Sequence, residues 1–179
     1  MEWSEPETHE SGTIVHRFRN RAADTPGAKD KLVLVDVDGS ARVVADDLMG
    51  PNGLAISGDG VSLFVAEWRA NRLTKFKIAP DGSLTERTLF AQVEGLADGI
   101  CVDVEGAVWM ASPTTGVCQR VLQGGRITDR VTPLGNRVTA CVLGGADRKT
   151  LFLTTDENPR PATGRIEAVE VNVPGEGYP

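Results

Sequence analysis

Histidine is nearly absent from this chain: His9 and His16 are the only two in 179 residues, and both precede the patterned part of the sequence. That argues against a Ser-His-Asp triad and against a histidine-rich zinc site. Cysteine is scarce too. Cys101, Cys118 and Cys141 each sit inside an apolar run, with no CxxC pair. An odd count at such positions fits reduced, buried thiols in a cytosolic protein, not a disulfide framework. There is no excess of basic residues: 19 Lys and Arg face 25 Asp and Glu, for a net charge of −6, interspersed throughout. Nucleic acid is therefore not an expected partner, since phosphate binding needs a basic face. No apolar run approaches the roughly 18 residues of a membrane span. The stretch Met1 to Glu10 is acidic and polar, the opposite of a secretory signal. The expectation is a cytoplasmic protein without a membrane partner. Also missing is any stretch of about 10–12 residues with a cap and an apolar helical stripe. The chain reads as all-β.

What is present is a repeat. Leu96 to Ala111 places an acidic residue at the mouth of an apolar strand, then a tight turn, then a second apolar strand. A near copy runs from Gly50 to Glu67, with Asn52-Gly53 falling on Asp98-Gly99, 46 residues on. Such a period points to stacked β units. In the first unit the expected strands are Leu54 to Ser57, Ser62 to Glu67, Arg72 to Ile78 and Leu84 to Ala91. In the second they are Gly99 to Asp103, Ala107 to Ala111, Val117 to Leu122 and Arg126 to Thr132. A third unit begins near Thr139, with strands over Ala140 to Leu143, Thr150 to Thr155 and Arg165 to Val173. Four short antiparallel strands per repeat is a propeller blade.

Earlier in the chain, Thr13 to Phe18 reads as a strand, and Lys31 to Val37 with Ala41 to Ala45 as a hairpin around Asp38-Gly39. Lys31 to Leu48 matches the last two strands of a blade. Residues 1–12 read as a loose lead-in and 13–179 as one partial β-propeller domain of about three and a half blades, an incomplete ring. An open ring leaves strand edges unpaired, so self-association is expected.

Asp-Gly and Asn-Gly are first of all hairpin turns. Asp38-Gly39, Asp59-Gly60, Asp81-Gly82 and Glu105-Gly106 each lie between two strands of one hairpin and are read as turns. Asn52-Gly53 and Asp98-Gly99 instead precede the first and most apolar strand of a blade, which lines a propeller's central channel. Two oxygen donors at equivalent entries of adjacent blades suit a hard cation. Trp68 and Trp109 read most simply as core aromatics, with a pocket wall as the sharper alternative.

The stretches Pro51 to Glu67 and Ala97 to Ala111, followed by Thr139 to Thr155, resemble in order three signatures of the senescence marker protein/gluconolactonase/regucalcin family. The likeness covers roughly residues 31–173. It implies a six-bladed propeller, one divalent cation in the channel (calcium first, with zinc, magnesium and manganese as alternatives), and hydrolysis of sugar lactones or related esters. Matched by position, Asn52 takes the place of a metal-binding Asn. Asp98 takes that of a metal-binding Asp that also serves as general base or nucleophile. The family's Glu in its Gly-Glu-Gly-Pro-x-Trp setting has no counterpart here, nor has an Asn from an intervening blade. The resemblance is thus to the C-terminal part of such a protein, a truncated form with half a metal site. The alternative reading is a non-catalytic propeller fragment serving binding or assembly. Asp36-Val37-Asp38-Gly39-Ser40 also matches the nucleophile loop of haloacid-dehalogenase-type phosphatases. That fold needs a helix soon after and a parallel sheet, and the sequence offers neither.

Overall fold

The computed structural model describes the main chain of residues 14–18 and residues 29–157 and 163–176. The expected lead-in, 1–12, lies outside them. The strands are β1 (Ile14–Phe18), β2 (Asp30–Val35), β3 (Ala41–Leu48), β4 (Pro51–Ile56), β5 (Ser62–Glu67), β6 (Arg72–Ile78) and β7 (Leu84–Gln92). After these come β8 (Ile100–Val102), β9 (Val108–Ser112), β10 (Val117–Val121), β11 (Ile127–Val131), β12 (Arg137–Gly144), β13 (Thr150–Asp156) and β14 (Arg165–Glu170). No helix occurs among the described residues. The strands form four antiparallel meanders in chain order: β1-β2-β3, β4-β5-β6-β7, β8-β9-β10-β11 and β12-β13-β14. The first sheet has one strand more than the Lys31 to Leu48 pattern supplies, because β1 pairs with β2 from Ile14↔Val35 to Phe18↔Lys31.

Why the second strands are such unbroken apolar runs is visible in the packing. In β5, Leu63 and Val65 turn one way, into a core shared with Leu32, Leu48 and Phe76. Phe64 and Ala66 turn the other way, to Phe90, Ile100 and Met110. In β9, Val108 and Met110 enter that same core, while Trp109 and Ala111 enter the next, with Cys118, Val138, Leu151 and Leu153. A strand buried on both faces loses its polar alternation. Three cores thus bind four sheets in sequence order. The solvent-side strands β7, β11 and β14 are mostly exposed and polar by comparison.

The four hairpin glycines form one repeated turn. Gly39, Gly60, Gly82 and Gly106 have φ of 82°, 71°, 75° and 73°. Their N–H groups donate to Asp36, Ser57, Ala79 and Asp103 carbonyls at 2.9, 2.8, 2.8 and 2.8 Å. This backbone sits in the left-handed region that glycine enters freely. Asp38 belongs to such a turn: its Oδ1 accepts from Ser40 N at 2.8 Å, and hydrogen bonds from Ser40 hold its carboxyl below the usual range. The following β3 runs antiparallel to β2, so the phosphatase-loop pattern is a hairpin here.

Candidate functional site

Asn52 and Asp98 occupy one structural position in two consecutive sheets, and Thr139 occupies it in the next. In the β4–β5 pair the register slips by one residue between Pro51↔Glu67 and Leu54↔Val65. In β12–β13 it slips between Val138↔Thr155 and Ala140↔Thr154. Ahead of β8, Asp98 N donates to Ala111 O (3.0 Å) and Ala111 N donates to Gly99 O (2.9 Å), so both residues face Ala111. Each first strand therefore opens on a bulge, a device that re-aims a side chain out of the strand's alternation. Asn52, Asp98 and Thr139 are all half-buried there. Because β12 runs through its bulge, it begins at Arg137, before the Ala140 start that apolar patterning suggests.

The bulges are joined from sheet to sheet through the main chain. Gly53 N donates to Asp98 O at 3.0 Å, and Gly99 N donates to Thr139 O at 3.0 Å. Neither glycine has a positive φ. Their role is close approach: a Cβ on Gly53 would lie 2.4 Å from Asp98 O, and one on Gly99 2.6 Å from Ala140 Cα. So Asn52-Gly53 and Asp98-Gly99, identical in type to hairpin dipeptides, are contacts between first strands.

Each approach to a bulge is also tied to a side chain elsewhere in its own sheet. Glu67, fully buried at the end of β5, accepts from Met49 N at 2.7 Å, from Arg72 Nε at 2.9 Å and Nη2 at 2.8 Å, and from the Thr74 hydroxyl. Burial pushes its carboxyl up, but these donors outweigh burial and hold it below the ordinary 4.5. Thr114 Oγ1 accepts from Leu96 N at 2.9 Å. Glu167 accepts from Leu134 N (2.7 Å), Gly135 N (3.0 Å) and Thr155 Oγ1 (2.7 Å). The chain just ahead of Asn52, Asp98 and Thr139 is thus held by a side-chain acceptor in all three sheets. Thr139 is visible in the sequence as the opening of the third unit, but nothing there gives it or Glu67 a chemical role. Only the superposed repeat, Asn-Gly over Asp-Gly over Thr-Ala, carried a sign of the third position.

Other sequence candidates are structural. Trp109 is a core residue. Cys101 Sγ lies 3.9 Å from Cys141 Sγ, and all three thiols are unbridged. Asp103, also fully buried, is taken up by Arg120 (Nε to Oδ2 2.7 Å), which further reaches Glu105 at 2.7 Å.

No cluster of three His, Cys, Asp or Glu able to hold a metal occurs among the described residues. Asn52 and Asp98 are oxygen donors of the kind a hard cation takes, and fewer than the six to eight that calcium collects.

Successive antiparallel sheets of three or four strands, the last three opening on a bulge that carries a polar residue, define a propeller-type β protein with polar groups at the entries of its first strands. Residues 7–157 match the model of the SMP-30/Gluconolactonase/LRE-like region, and the chain belongs to that family. It is 29% identical over 157 residues to a 6-deoxy-6-sulfogluconolactonase from Pseudomonas putida, covering 81% of this chain and 54% of the relative. A solved gluconolactonase from Xanthomonas campestris shares 29% identity at a TM-score of 0.66, over 90% of this chain and 55% of that one. A regucalcin from Agrobacterium tumefaciens, described as a calcium-binding protein, superposes at 0.73 with 22% identity, over 93% and 59%. The chain spans about half the length of the relatives it matches.

Proposed function

We propose that this chain carries part of the active site of a sugar-lactone hydrolase, centred on Asn52 and Asp98. The observation that supports this most is the Gly53 N to Asp98 O bond, which sets two bulged entries, one carrying an amide and one a carboxylate, on neighbouring first strands. The family membership and the lactonases among the relatives supply the substrate class. In this reading Asp98 accepts a proton from a water whose oxygen attacks the lactone carbonyl carbon. The ring C–O bond then breaks, and the departing ring oxygen takes up a proton to give the open hydroxy acid. The Asn52 amide orients the carbonyl side of the ring. A divalent cation, calcium in first place, would be held by Asn52 and Asp98. When bound it polarises the carbonyl and acidifies water. The remainder of its shell would come from water or from groups beyond these two residues. Unbridged thiols support a cytoplasmic setting.

Hydrolysis of D-glucono-1,5-lactone by the chain, with added calcium and with EDTA, tests this. Asp98→Asn is expected to lower kcat/KM by about 100-fold or more, the usual worth of a general base. EDTA is expected to abolish turnover and calcium to restore it. An Asp98→Asn variant as active as the parent would overturn the assignment.

A further inference from the structure

We infer that Thr139 is a third substrate-contacting residue of this site, a hydroxyl that reads the hydroxyl groups of a polyhydroxylated lactone. The inference rests on the lactonase reading above and deepens it. The spacing rule that joins Asn52 to Asp98 joins Asp98 to Thr139: a glycine N–H one residue past the bulge donates to the next bulge's carbonyl, at 3.0 Å in both cases. The steric step matches as well, since Gly53 abuts the Asp98 carbonyl and Gly99 abuts the Ala140 Cα. Whatever level of the first strands Asn52 and Asp98 share, Thr139 shares it too. The tie behind it is equally firm, through Glu167 to Leu134 N and Gly135 N.

The side chain suits the ligand. Thr139 Oγ1 lies 3.0 Å from Thr154 Oγ1, with either able to donate, and a second option reaches Thr154 O at 3.4 Å. Thr139 is half-buried and Thr154 exposed. A hydroxyl offers one donor and two acceptor sites. Paired with a second hydroxyl that can turn either way, Thr139 can give or take a hydrogen bond at need. Sugar hydroxyls ask for that versatility, whereas Asn52 and Asp98 serve the carbonyl and the water. Thr139 is therefore a specificity residue that separates hydroxylated from plain lactones, with little part in the bond-breaking step.

The test compares Thr139→Val, which removes the hydroxyl at nearly constant shape, with Thr139→Ser, which keeps it, using the full chain. KM and kcat are measured on D-glucono-1,5-lactone and on δ-valerolactone, the same ring without hydroxyls. Thr139→Val should raise KM for the gluconolactone roughly three- to tenfold, the worth of one hydrogen bond, and leave δ-valerolactone within about twofold. Thr139→Ser should behave as the parent. Equal losses on both lactones, no loss on either, or a Ser variant as impaired as the Val variant would overturn the inference. Should the Val variant fail to fold, Thr154→Val reads the same hydroxyl pair and should shift KM in the same direction, again for the hydroxylated lactone alone. Binding of D-gluconate, followed by saturation-transfer NMR, separates the two levels of the reading. A parent chain that neither hydrolyses lactone nor binds gluconate overturns the lactonase assignment and this one with it. A parent that binds, with Thr139→Val binding equally well, overturns only the role of Thr139.

Discussion

Glu67 is fully buried, with Arg72 Nη2 at 2.8 Å and Arg87 Nη2 at 3.4 Å. A carboxylate there is tolerable only because charge and hydrogen bonds replace water on every side. Removing the charge would leave Arg72 facing an amide, and Glu67→Gln should lower stability at neutral pH by about 3 kcal/mol, as for one lost partner of a buried pair. The sign of the pH dependence follows from its depressed pKa. Its contribution is fully present above the ordinary 4.5 and is lost as pH falls through the lower, folded value. The gap between parent and Glu67→Gln in denaturant unfolding should therefore be widest near neutrality and close below pH 4.5. A gap that stays constant down to the acid limit would show that folding leaves the Glu67 pKa unshifted. The other carboxylates with lowered values, such as Asp59 and Glu167, are common to both proteins and cancel in the difference.

Between elements, two kinds of glycine carry two kinds of cost. Gly60 has φ of 71° and open space around the position of a Cβ. Gly60→Ala should cost about 1 kcal/mol of left-handed strain and nothing in function. Gly53 has ordinary backbone but a neighbouring carbonyl 2.4 Å from its would-be Cβ, so Gly53→Ala must part β4 from the Asp98 bulge. About 2–3 kcal/mol of overpacking is expected, together with loss of lactone hydrolysis. Reversed ordering of the two variants in urea unfolding would refute the close-approach account. The strands were largely legible from sequence, β5 and β6 to the residue, because burial on both faces of β5 writes an unbroken apolar run. The start of β12 was not, since a one-residue slip at Thr139 leaves no periodic trace. Asn52 and Asp98 stood out because Asx-Gly preceded an apolar strand rather than following one. Thr139-Ala140 has neither residue type, and only the Gly99 N to Thr139 O bond makes it equivalent. Glu67 escaped because its partner Met49 is 18 residues away, a pairing that no local pattern encodes.

Across the whole molecule, burial is concentrated in the two central sheets. Val65, Ala66, Met110 and Ala111 are all 0% exposed, and each lies in a sheet with a core on both faces. In the last sheet β14 is exposed nearly throughout, with Ile166 at 77%. Local opening follows such differences. Amide hydrogen exchange should be slowest in β5 and β9 and fastest in β14, and equal protection of β14 and β9 would mean that another surface covers β14. The main-chain bonds from Gly53 to Asp98 and from Gly99 to Thr139 have a bearing on how such a protein can change. They link the chain at residues 53, 98, 99 and 139 through main-chain atoms alone. Each of positions 52, 98 and 139 is a socket whose occupant can be exchanged while the frame stays as it is. On the lactonase function proposed above, substitutions at a few neighbouring points would change which lactone or ester is taken, without rebuilding the sheets that carry them.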